Sequence, residues 1–367
     1  MDKLKYALIG CGRIAPNHVG AAAANADKLD LAAACDLDEA AIGRALSAYP
    51  AGESVRRYTD YRAMLEAEKP DLVAVATESG SHASIAMECL RAGCHVIVEK
   101  PIALSLADAD AMIKLAGERG RRLGVSHQNR FNRSIQSIRG ATEAGRFGKM
   151  HHGSANIRWH RDKTYYSSAS WRGRWSQDGG ALMNQCIHNI DLLLWLMGGR
   201  ATEVCAYTDR LAHPYIEAED FGAAIVRFAN GAYGVIEGSM NIFPTNLEET
   251  LYLFGEHGTV KAGGVSVNRI EEWRFRDGLD DPAEVVRASA EKAANVYGFG
   301  HTPLYADMID AIRTGRRPYI DGEAGRAALE LVLAIYLSAA TGAPVRLPLE
   351  GIATTDFSDR FVPALPR

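Results

Sequence analysis

The residues best suited to chemistry follow an apolar β-branched run, Val96-Ile97-Val98, which ends abruptly in Glu99-Lys100-Pro101. Such a run predicts a strand that is buried on both faces. In open parallel α/β sheets, ligands bind outside the carboxyl ends of the strands, so Lys100 is expected to point into a ligand cleft. The alternative is that Glu99 and Lys100 are ordinary solvated loop residues.

A second candidate is His188, in a predicted helix bracketed by the pairs Gly179-Gly180 and Gly198-Gly199. At about 100° per residue, one apolar stripe comprises Met183, Ile187, Ile190, Leu194 and Met197. Beside this stripe lie Asn184, His188, Asp191 and Trp195. The histidine is either a core residue bonded to Asp191 or Asn184, or a base. An imidazole with a pKa near ~6.5 is a competent base at neutral pH, and an ammonium group can stabilise a developing alkoxide.

The elements that must position these groups begin with a dinucleotide fingerprint. The strand Tyr6–Ile9 is followed by Gly10-Cys11-Gly12-Arg13-Ile14-Ala15, the GxGxxA form, in which glycines let backbone N–H groups approach a pyrophosphate. The next strand, Leu31–Cys35, ends in Asp36, where a carboxylate would bind ribose hydroxyls and repel a 2′-phosphate. NAD is therefore favoured over NADP. The alternative role for Asp36 is to cap the helix that begins near Asp38.

Strands and helices continue to alternate as far as the strand Arg122–Ser126. The loop from Thr77 to His82 is expected to line the nicotinamide side of the cleft, with His82 capping or supporting it rather than catalysing. This alternation predicts an α/β fold, a doubly wound parallel sheet of Rossmann type, over residues 1–128.

The second half, residues 129–367, has a different pattern and predicts an α+β domain with a large, mostly antiparallel open sheet. Its predicted strands are His151–Trp159, Ala201–Tyr207, Phe221–Phe228, Tyr233–Met240 and Thr250–Phe254, with turns at Asn230-Gly231 and His257-Gly258. Helices within about 302–341 are expected to pack back toward the first domain, and Asp277–Ala293 is expected to be a loop or short helix. The open sheet predicts a homodimer or homotetramer.

Composition and charge narrow the classes of partner. The chain has 367 residues, 47% hydrophobic and 23% charged, with a net charge of −4, so no general attraction to nucleic acid or membranes is expected. No apolar run approaches about 18 residues, and the chain enters a strand at once, so neither a membrane span nor a signal peptide is expected. Six cysteines without metal-ligand spacing predict buried thiols, a cytoplasmic location and no metal site.

The fingerprint, Glu99-Lys100-Pro101 and the Gly-Gly…His188-x-x-Asp191 helix together resemble the Gfo/Idh/MocA family of NAD(P)-dependent sugar oxidoreductases, over nearly the whole chain. The resemblance implies that Lys100 and His188 are the catalytic pair, flanking the substrate carbon and the nicotinamide. Many members carry an aspartate four residues before the histidine. This chain has Asn184 there, so the resemblance does not carry over a carboxylate-assisted proton relay at that position.

Further segments are similar to the family's branch of UDP-N-acetyl-2-amino-2-deoxyglucuronate 3-dehydrogenases. They are Ile14-Ala15-Pro16-Asn17-His18, Tyr165-Tyr166…Ser170-Trp171-Arg172-Gly173 and Asn184-x-x-x-His188. The Trp171-Arg172 pair resembles one that reaches the cofactor in some relatives. Independently, five cations interleave with aromatic residues between Arg158 and Trp175, which suits either a carboxylate or diphosphate on a sugar, or a solvated loop with stacked guanidinium groups.

The resemblance implies an NAD-dependent oxidoreductase acting on a secondary alcohol of a sugar, with C3 as the expected carbon and a nucleotide-linked uronic acid as one expected substrate. The expected substrate-binding residues are Asn184, Arg161, Tyr165, Tyr166 and Gln128. The expected cofactor-binding residues are Gly10, Gly12, Arg13, Ile14, Asp36, Thr77, His82, Glu99, Lys100, Asn129, Trp171 and Arg172. The alternatives are an inositol or free-hexose dehydrogenase, an NAD-dependent redox glycosidase that oxidises C3 transiently, and a sugar sensor of the same fold without catalysis.

Overall fold

The structure is a computed structural model that describes residues 2–198, 200–291 and 298–361. The chain divides into two compact units, which are described separately. Unit 1 comprises Met1–Ala103, Ala107–Gln128 and Phe299–Arg326. Unit 2 comprises Leu104–Leu106, Asn129–Gly298 and Ala327–Arg367.

Regular elements cover most of the described chain. The strands are β1 (Leu4–Ile9), β2 (Leu29–Cys35), β3 (Arg56–Tyr58), β4 (Leu72–Val75), β5 (His95–Val98), β6 (Leu123–Val125), β7 (Met150–Arg158), β8 (Ala201–Asp209), β9 (Phe221–Phe228), β10 (Tyr233–Ser239), β11 (Glu248–Gly255), β12 (Gly258–Gly263), β13 (Arg269–Phe275) and β14 (Val345–Arg346). The helices are α1 (Ala15–Ala24), α2 (Glu39–Leu46), α3 (Tyr61–Glu68), α4 (His82–Arg91), α5 (Leu106–Glu118), α6 (Arg133–Glu143), α7 (Lys163–Ser167), α8 (Ile187–Leu196), α9 (Pro282–Ser289), α10 (His301–Thr314) and α11 (Gly322–Thr341).

Unit 1 contains a six-stranded sheet of order β3-β2-β1-β4-β5-β6, in which every pair is parallel. This is the Rossmann order, and the predicted fold of the first half is confirmed. Strand β5, which lies between β4 and β6, is buried as expected, since Val96, Ile97 and Val98 have no exposed surface. Strand β3, a three-residue edge strand that is largely exposed, was not predicted from the sequence.

Helix α10 completes unit 1 by packing on α1. The Tyr305 hydroxyl lies 2.7 Å from the Tyr6 hydroxyl and 2.7 Å from Nδ1 of His18, all within the core. The helix ends at Gly315, which adopts φ +76° in the left-handed region that glycine favours.

Unit 2 contains an eight-stranded sheet of order β13-β12-β11-β7-β10-β9-β8-β14. Only the β10–β7 pair is parallel, so the predicted, mostly antiparallel sheet is confirmed. The Asn230-Gly231 turn joins β9 to β10, with Gly231 at φ +84°. Strands β12 and β13 were not predicted from the sequence, because terminal glycines in β12 and charged residues in β13 obscure the alternation of apolar and polar residues. In the segment 277–293, residues 282–289 form α9, and 292–293 lie outside the described residues.

Among the described residues, one helix has the length and composition of a membrane span. It is α11, with a mean hydropathy of 1.3, and 56% of that window is buried within the protein. Tyr336, Ile335 and Leu331 of this helix have no exposed surface. An apolar helix buried in this way is the ordinary state of a core helix.

Candidate functional site

The turn between β1 and α1 has the backbone that a dinucleotide requires. Gly10 adopts φ +93°, and a Cβ there would lie 2.5 Å from the backbone of Ala76. At Gly12 a Cβ would meet nothing within 4 Å, so the backbone here is open to a ligand. Arg13 is exposed and Ile14 half-buried at the same turn. These residues fit a bound pyrophosphate.

Asp36 lies directly beside this turn. Its carboxylate accepts hydrogen bonds from the backbone N–H of Cys11 at 2.7 Å and of Asp38 at 2.9 Å. The cap of α2 is Asp38 instead, whose side chain accepts from Ala40 N at 2.9 Å. The alternative of Asp36 as the helix cap is therefore wrong, and its half-exposed carboxylate is held next to the glycine turn.

His82 connects two loops of unit 1. Its Nδ1 lies 2.8 Å from the carbonyl of Pro101 and its Nε2 lies 3.1 Å from the carbonyl of Thr77. Burial lowers the pKa of His82 below its ordinary value. The ring is 1% exposed, so it supports the Thr77 loop from within the unit. A contact of Thr77 or His82 with the cofactor stays a prediction.

Glu99 is buried rather than solvated, at 6% exposure. One carboxylate oxygen lies 3.1 Å from Nε2 of His18 and 3.4 Å from Nε2 of His301, and the other accepts from the backbone N–H of Lys100 at 3.3 Å. Burial raises the pKa of Glu99, but the hydrogen bonds from both histidines outweigh it and hold that pKa well below its ordinary value. Glu99 is thus an anion that fixes the end of β5, where Lys100 is half-buried.

The same three side chains are the group among the described residues that could hold a metal ion, with ligand atoms within 4.8 Å of one another. His18 and His301 were not predicted from the sequence to be members of this cluster. His18 lies in the segment Ile14–His18 that resembles the family branch, whereas His301 has no local signal. In the present geometry the two imidazoles bind the carboxylate directly.

In unit 2, His188 follows an unusual turn. Leu182–Cys186 form a π-helix, and α8 begins at Ile187. Such turns are rare and frequently occur at functional sites. The predicted single stripe is partly wrong, because Leu192, Leu193 and Leu196 are also buried while Leu194 is half-buried. Asn184, His188 and Trp195 are the half-buried positions that share the expected polar side.

The start of this helix is capped from two distant segments. The backbone N–H of Leu182 donates to Glu219 Oε1 at 2.7 Å, and those of Gly180 and Met183 donate to the Tyr336 hydroxyl at 3.3 and 3.2 Å. Burial raises the pKa of Glu219 to about 8. Residues 180–183 therefore have fixed backbone positions immediately before the candidate base.

Asp191, of the His-x-x-Asp pattern, has a structural partner. Its carboxylate accepts a bidentate pair of hydrogen bonds from Arg130, with Nε at 2.7 Å from Oδ2, and both residues are buried. The Arg130 guanidinium also lies 4.8 Å from the ring centroid of Trp195. Sequence analysis missed Arg130, which follows the predicted residues Gln128 and Asn129, each 2% exposed.

The cation and aromatic segment is arranged around Tyr165. The guanidinium of Arg172 lies 4.3 Å from the Tyr165 ring centroid, and its Nη1 donates to the Tyr165 hydroxyl at 2.7 Å. That hydroxyl also accepts from Nε2 of Gln185 at 3.0 Å. Arg161 stacks on Tyr165 from 4.9 Å. Tyr166 is buried at 7% exposure, unlike Tyr165.

The predicted residues fall into both units. Unit 1 holds Gly10, Gly12, Arg13, Ile14, Asp36, Thr77, His82, Glu99, Lys100 and Gln128. Unit 2 holds Asn129, Arg161, Tyr165, Tyr166, Trp171, Arg172, Asn184 and His188. Within unit 1 the structure brings together the glycine turn and Asp36, and within unit 2 Tyr165 and Arg172. The convergence of Lys100 and His188 on one substrate stays a prediction.

Comparison with known proteins gives matches to both halves of the chain. Residues 4–127 match the family model of an oxidoreductase family with an NAD-binding Rossmann fold, and residues 135–261 match the GFO/IDH/MocA C-terminal domain. The crystal structure of the WlbA dehydrogenase from Bordetella pertussis, in complex with NADH and UDP-GlcNAcA, is similar with 42% identity and a TM-score of 0.88, over 95% of this chain and 99% of that one. The corresponding Chromobacterium violaceum enzyme, also in complex with NADH and UDP-GlcNAcA, has 39% identity and a TM-score of 0.86, over 95% and 97%. A D-apiose dehydrogenase from Paraburkholderia graminis is 29% identical over 95% of this chain and 90% of that protein.

Proposed function

Because this chain belongs to the Gfo/Idh/MocA family of NAD-dependent sugar oxidoreductases, we propose that it oxidises C3 of a UDP-linked N-acetylated glucosaminuronic acid. The observation that carries the proposal is the 42% identity, over 95% of the chain, to a dehydrogenase crystallised with NADH and UDP-GlcNAcA. The stacked guanidinium groups of Arg161 and Arg172 support it, because planar cations suit carboxylates and diphosphates.

In the proposed reaction, His188 accepts the proton of the sugar hydroxyl. Lys100, as an ammonium group at the end of β5, stabilises the negative charge that develops on the alcohol oxygen. The glycine turn and Asp36 would hold NAD, which would supply the acceptor for the hydride of the sugar carbon. The anionic Glu99 holds the backbone N–H of Lys100 and so fixes where the lysine side chain starts.

The test is NADH absorbance during incubation with NAD and a panel of UDP-sugars, free hexoses and pentoses, and inositols, with mass spectrometry of the products. Turnover of UDP-GlcNAcA to a keto sugar is the expected result. Lys100→Met is expected to reduce kcat by about 10²-fold or more while NAD binding is retained. Lys114→Met, on the exposed side of α5, is the matched control with wild-type turnover. Near-normal turnover of Lys100→Met would contradict the assignment.

The same panel separates the alternatives. Preference for a free sugar would favour the second candidate, supported by the similarity to a D-apiose dehydrogenase. Release of a free sugar or aglycone without net NADH would identify a redox glycosidase. Binding of NAD and sugar without any conversion would identify a sensor.

We also propose that the protein is a homo-oligomer that associates through the open face of the unit 2 sheet, with no nucleic acid or membrane as a partner. Cys205, Ile225 and Val235 are cross-strand neighbours on β8, β9 and β10, and Ile225 is 57% exposed. Tyr207, 77% exposed, extends the apolar face. Light scattering is expected to give a dimer or tetramer, and Ile225→Glu is expected to shift it toward monomer.

The location we propose is the cytoplasm. The six cysteines are free thiols in the structure, which suits a reducing compartment. Five are buried as predicted, and the prediction is wrong for Cys205, which is exposed on β8. Fractionation of the native host with an antibody against the protein is the test.

A further inference from the structure

Asp178 is a buried carboxylate to which the proposed reaction gives no role. It is 2% exposed and lies in the loop before the π-helix. One carboxylate oxygen accepts from the backbone N–H of Gly173 at 2.7 Å, and the other accepts from Nδ2 of Asn184. The loop is closed on itself, because the backbone N–H of Asp178 donates to the carbonyl of Arg174 at 2.9 Å.

We propose that Asp178 is a positioning residue that fixes the side-chain amide of Asn184 in one orientation and so sets which atom Asn184 presents to the substrate. The inference rests on the proposed function. A carboxylate only accepts hydrogen bonds, so the NH₂ group of Asn184 must face Asp178. The atom turned the other way is the carbonyl Oδ1, an acceptor suited to a sugar hydroxyl.

The same contact explains the residue type at position 184. An aspartate there would place two carboxylates within hydrogen-bond distance, and two such groups cannot both ionise without a large cost. Asparagine beside Asp178 keeps an acceptor oxygen at this place on the helix and adds no second charge. The pair of residues is therefore matched, one carboxylate and one amide.

Asp178 can hold Asn184 firmly because its other partner is itself fixed. Gly173 adopts φ +69°, and a Cβ there would lie 2.6 Å from Cβ of Ile216. Its carbonyl accepts from the backbone N–H groups of Glu217 at 2.9 Å and Ala218 at 3.0 Å. The carboxylate thus links Asn184 to a turn whose backbone is held in place and cannot move with the Asn184 side chain.

A second bridge attaches the next residue of the π-helix to the same segment. Gln185 donates to the Tyr165 hydroxyl at 3.0 Å, and Arg172 donates to that hydroxyl at 2.7 Å. Loss of the Gln185 bond loosens the attachment but leaves the orientation of the Asn184 amide unchanged. Gln185→Met is therefore the control for a merely structural effect.

The experiment compares Asp178→Asn, Asn184→Asp and the double exchange, with saturating NAD and UDP-GlcNAcA as the varied substrate. In Asp178→Asn, the new amide keeps its oxygen toward the Gly173 N–H and therefore turns its NH₂ group toward the NH₂ group of Asn184. The two donors repel each other unless the Asn184 amide rotates and presents its NH₂ group to the substrate. We expect KM to rise about tenfold or more with a smaller change in kcat. In the double exchange, the amide now at position 178 accepts from Gly173 and donates to the carboxylate now at position 184, so an acceptor oxygen again faces the substrate. KM is expected to recover to within about threefold of wild type.

The single Asn184→Asp variant gives an independent readout. Two adjacent carboxylates share one proton that is lost as pH rises. Both KM and thermal stability of this variant are therefore expected to worsen with pH more steeply than in the wild type, and the double exchange is expected to restore the wild-type pH dependence. A wild-type KM in Asp178→Asn, a double exchange no better than that single variant, or the same KM rise in Gln185→Met would each overturn the proposal. An inactive wild type would instead reject the proposed function. The stability profiles of Asn184→Asp and the double exchange would then decide the positioning role.

Discussion

The Tyr336 hydroxyl donates to Glu219 Oε1 at 3.0 Å, and this pair caps the helix that carries His188. Three backbone N–H groups, those of Gly180, Leu182 and Met183, donate to the two side chains. Both residues have no exposed surface, so water is not available to replace either partner. The position of the candidate base therefore depends on residues 31 and 148 positions further along the chain.

Tyr336→Phe removes the hydroxyl that binds two of these N–H groups and Glu219. We expect the free energy of unfolding to fall by about 1–3 kcal/mol, because buried polar groups lose their partner. Urea unfolding measures the change. Tyr319→Phe, at a 39% exposed position outside the proposed association face, is the control and should change stability by less than about 0.5 kcal/mol. Equal effects of the two substitutions would show that the cap contributes no stability.

Gly180→Ala should be among the most damaging single changes in unit 2. A Cβ at this position would lie 1.2 Å from Oε2 of Glu219, which cannot retreat because its other oxygen is held by Leu182 and Tyr336. We expect a loss of more than about 4 kcal/mol or no folded protein. Gly140→Ala, at an exposed position of α6 with nothing within 4 Å, should stabilise by about 0.5–1 kcal/mol. Thermal melts of the two variants test the expected loss of stability in one and the expected gain in the other. A mild effect of Gly180→Ala would contradict the close packing of Gly180 against Glu219.

Stability should depend on the titration of Glu219. Burial raises its pKa from 4.5 to about 8, so the folded state binds this proton more tightly than the unfolded chain. Stability is then highest below the unfolded pKa and falls as pH rises from about 4.5 to about 8. Glu219→Gln cannot titrate and should show a shallower decline. Glu249, whose pKa burial also raises to about 8, is present in both proteins, so the difference between their melting curves isolates Glu219. Parallel curves would count against a raised pKa.

Asp191→Asn should leave Arg130 as an uncompensated buried cation. Because the pair is bidentate and both side chains are buried, we expect a loss of about 3–5 kcal/mol. The exposed pair Arg139–Glu143 is a matched control, since Arg139 also lies over Trp195, and Glu143→Gln should cost less than about 1 kcal/mol. Chemical denaturation of both variants compares the pairs directly. Similar small losses would mean that Arg130 finds another partner.

Asp36→Ala should weaken the preference for NAD over NADP. The substitution removes both the expected ribose ligand and the acceptor for Cys11 N, so kcat/KM with NAD should fall about tenfold, and more than with NADP. Asp38→Ala, which removes the cap of α2, is the control and should cost about 1 kcal/mol of stability without changing the cofactor ratio. An unchanged ratio in Asp36→Ala would remove Asp36 from the cofactor site.

The parts of the fold that sequence could predict are those with local causes. The buried run Val96–Val98, the glycines of the first turn and the Asn230-Gly231 hairpin each depend on a few consecutive residues. Each of these patterns can therefore be recognised in the short stretch of sequence that contains it. The edge strand β3 was not predicted, because three largely exposed residues are too few to show a periodic pattern.

The helix before His188 shows where such reasoning fails. A uniform 3.6-residue period predicts one apolar stripe, but the π-turn at Leu182–Cys186 changes the period, and buried leucines occupy the other faces of α8. Asp191 was weighed as a partner of His188, and the structure shows that its carboxylate binds Arg130, which the sequence did not suggest. No local pattern shows a partner 61 residues away.

The sequence by itself determined the fold class, the family, the dinucleotide turn and the candidate pair Lys100 and His188. Strand burial, glycine turns and short motifs depend on residues that are close together in the sequence, so they can be recognised without the structure. Only the tertiary structure decided that His18 and His301 make Glu99 a buried anion, that Glu219 and Tyr336 cap the helix of His188, and that Asp178 accepts a hydrogen bond from Asn184. These are hydrogen bonds between side chains far apart in the chain. Their formation depends on distance and burial, which exist only after the chain has folded.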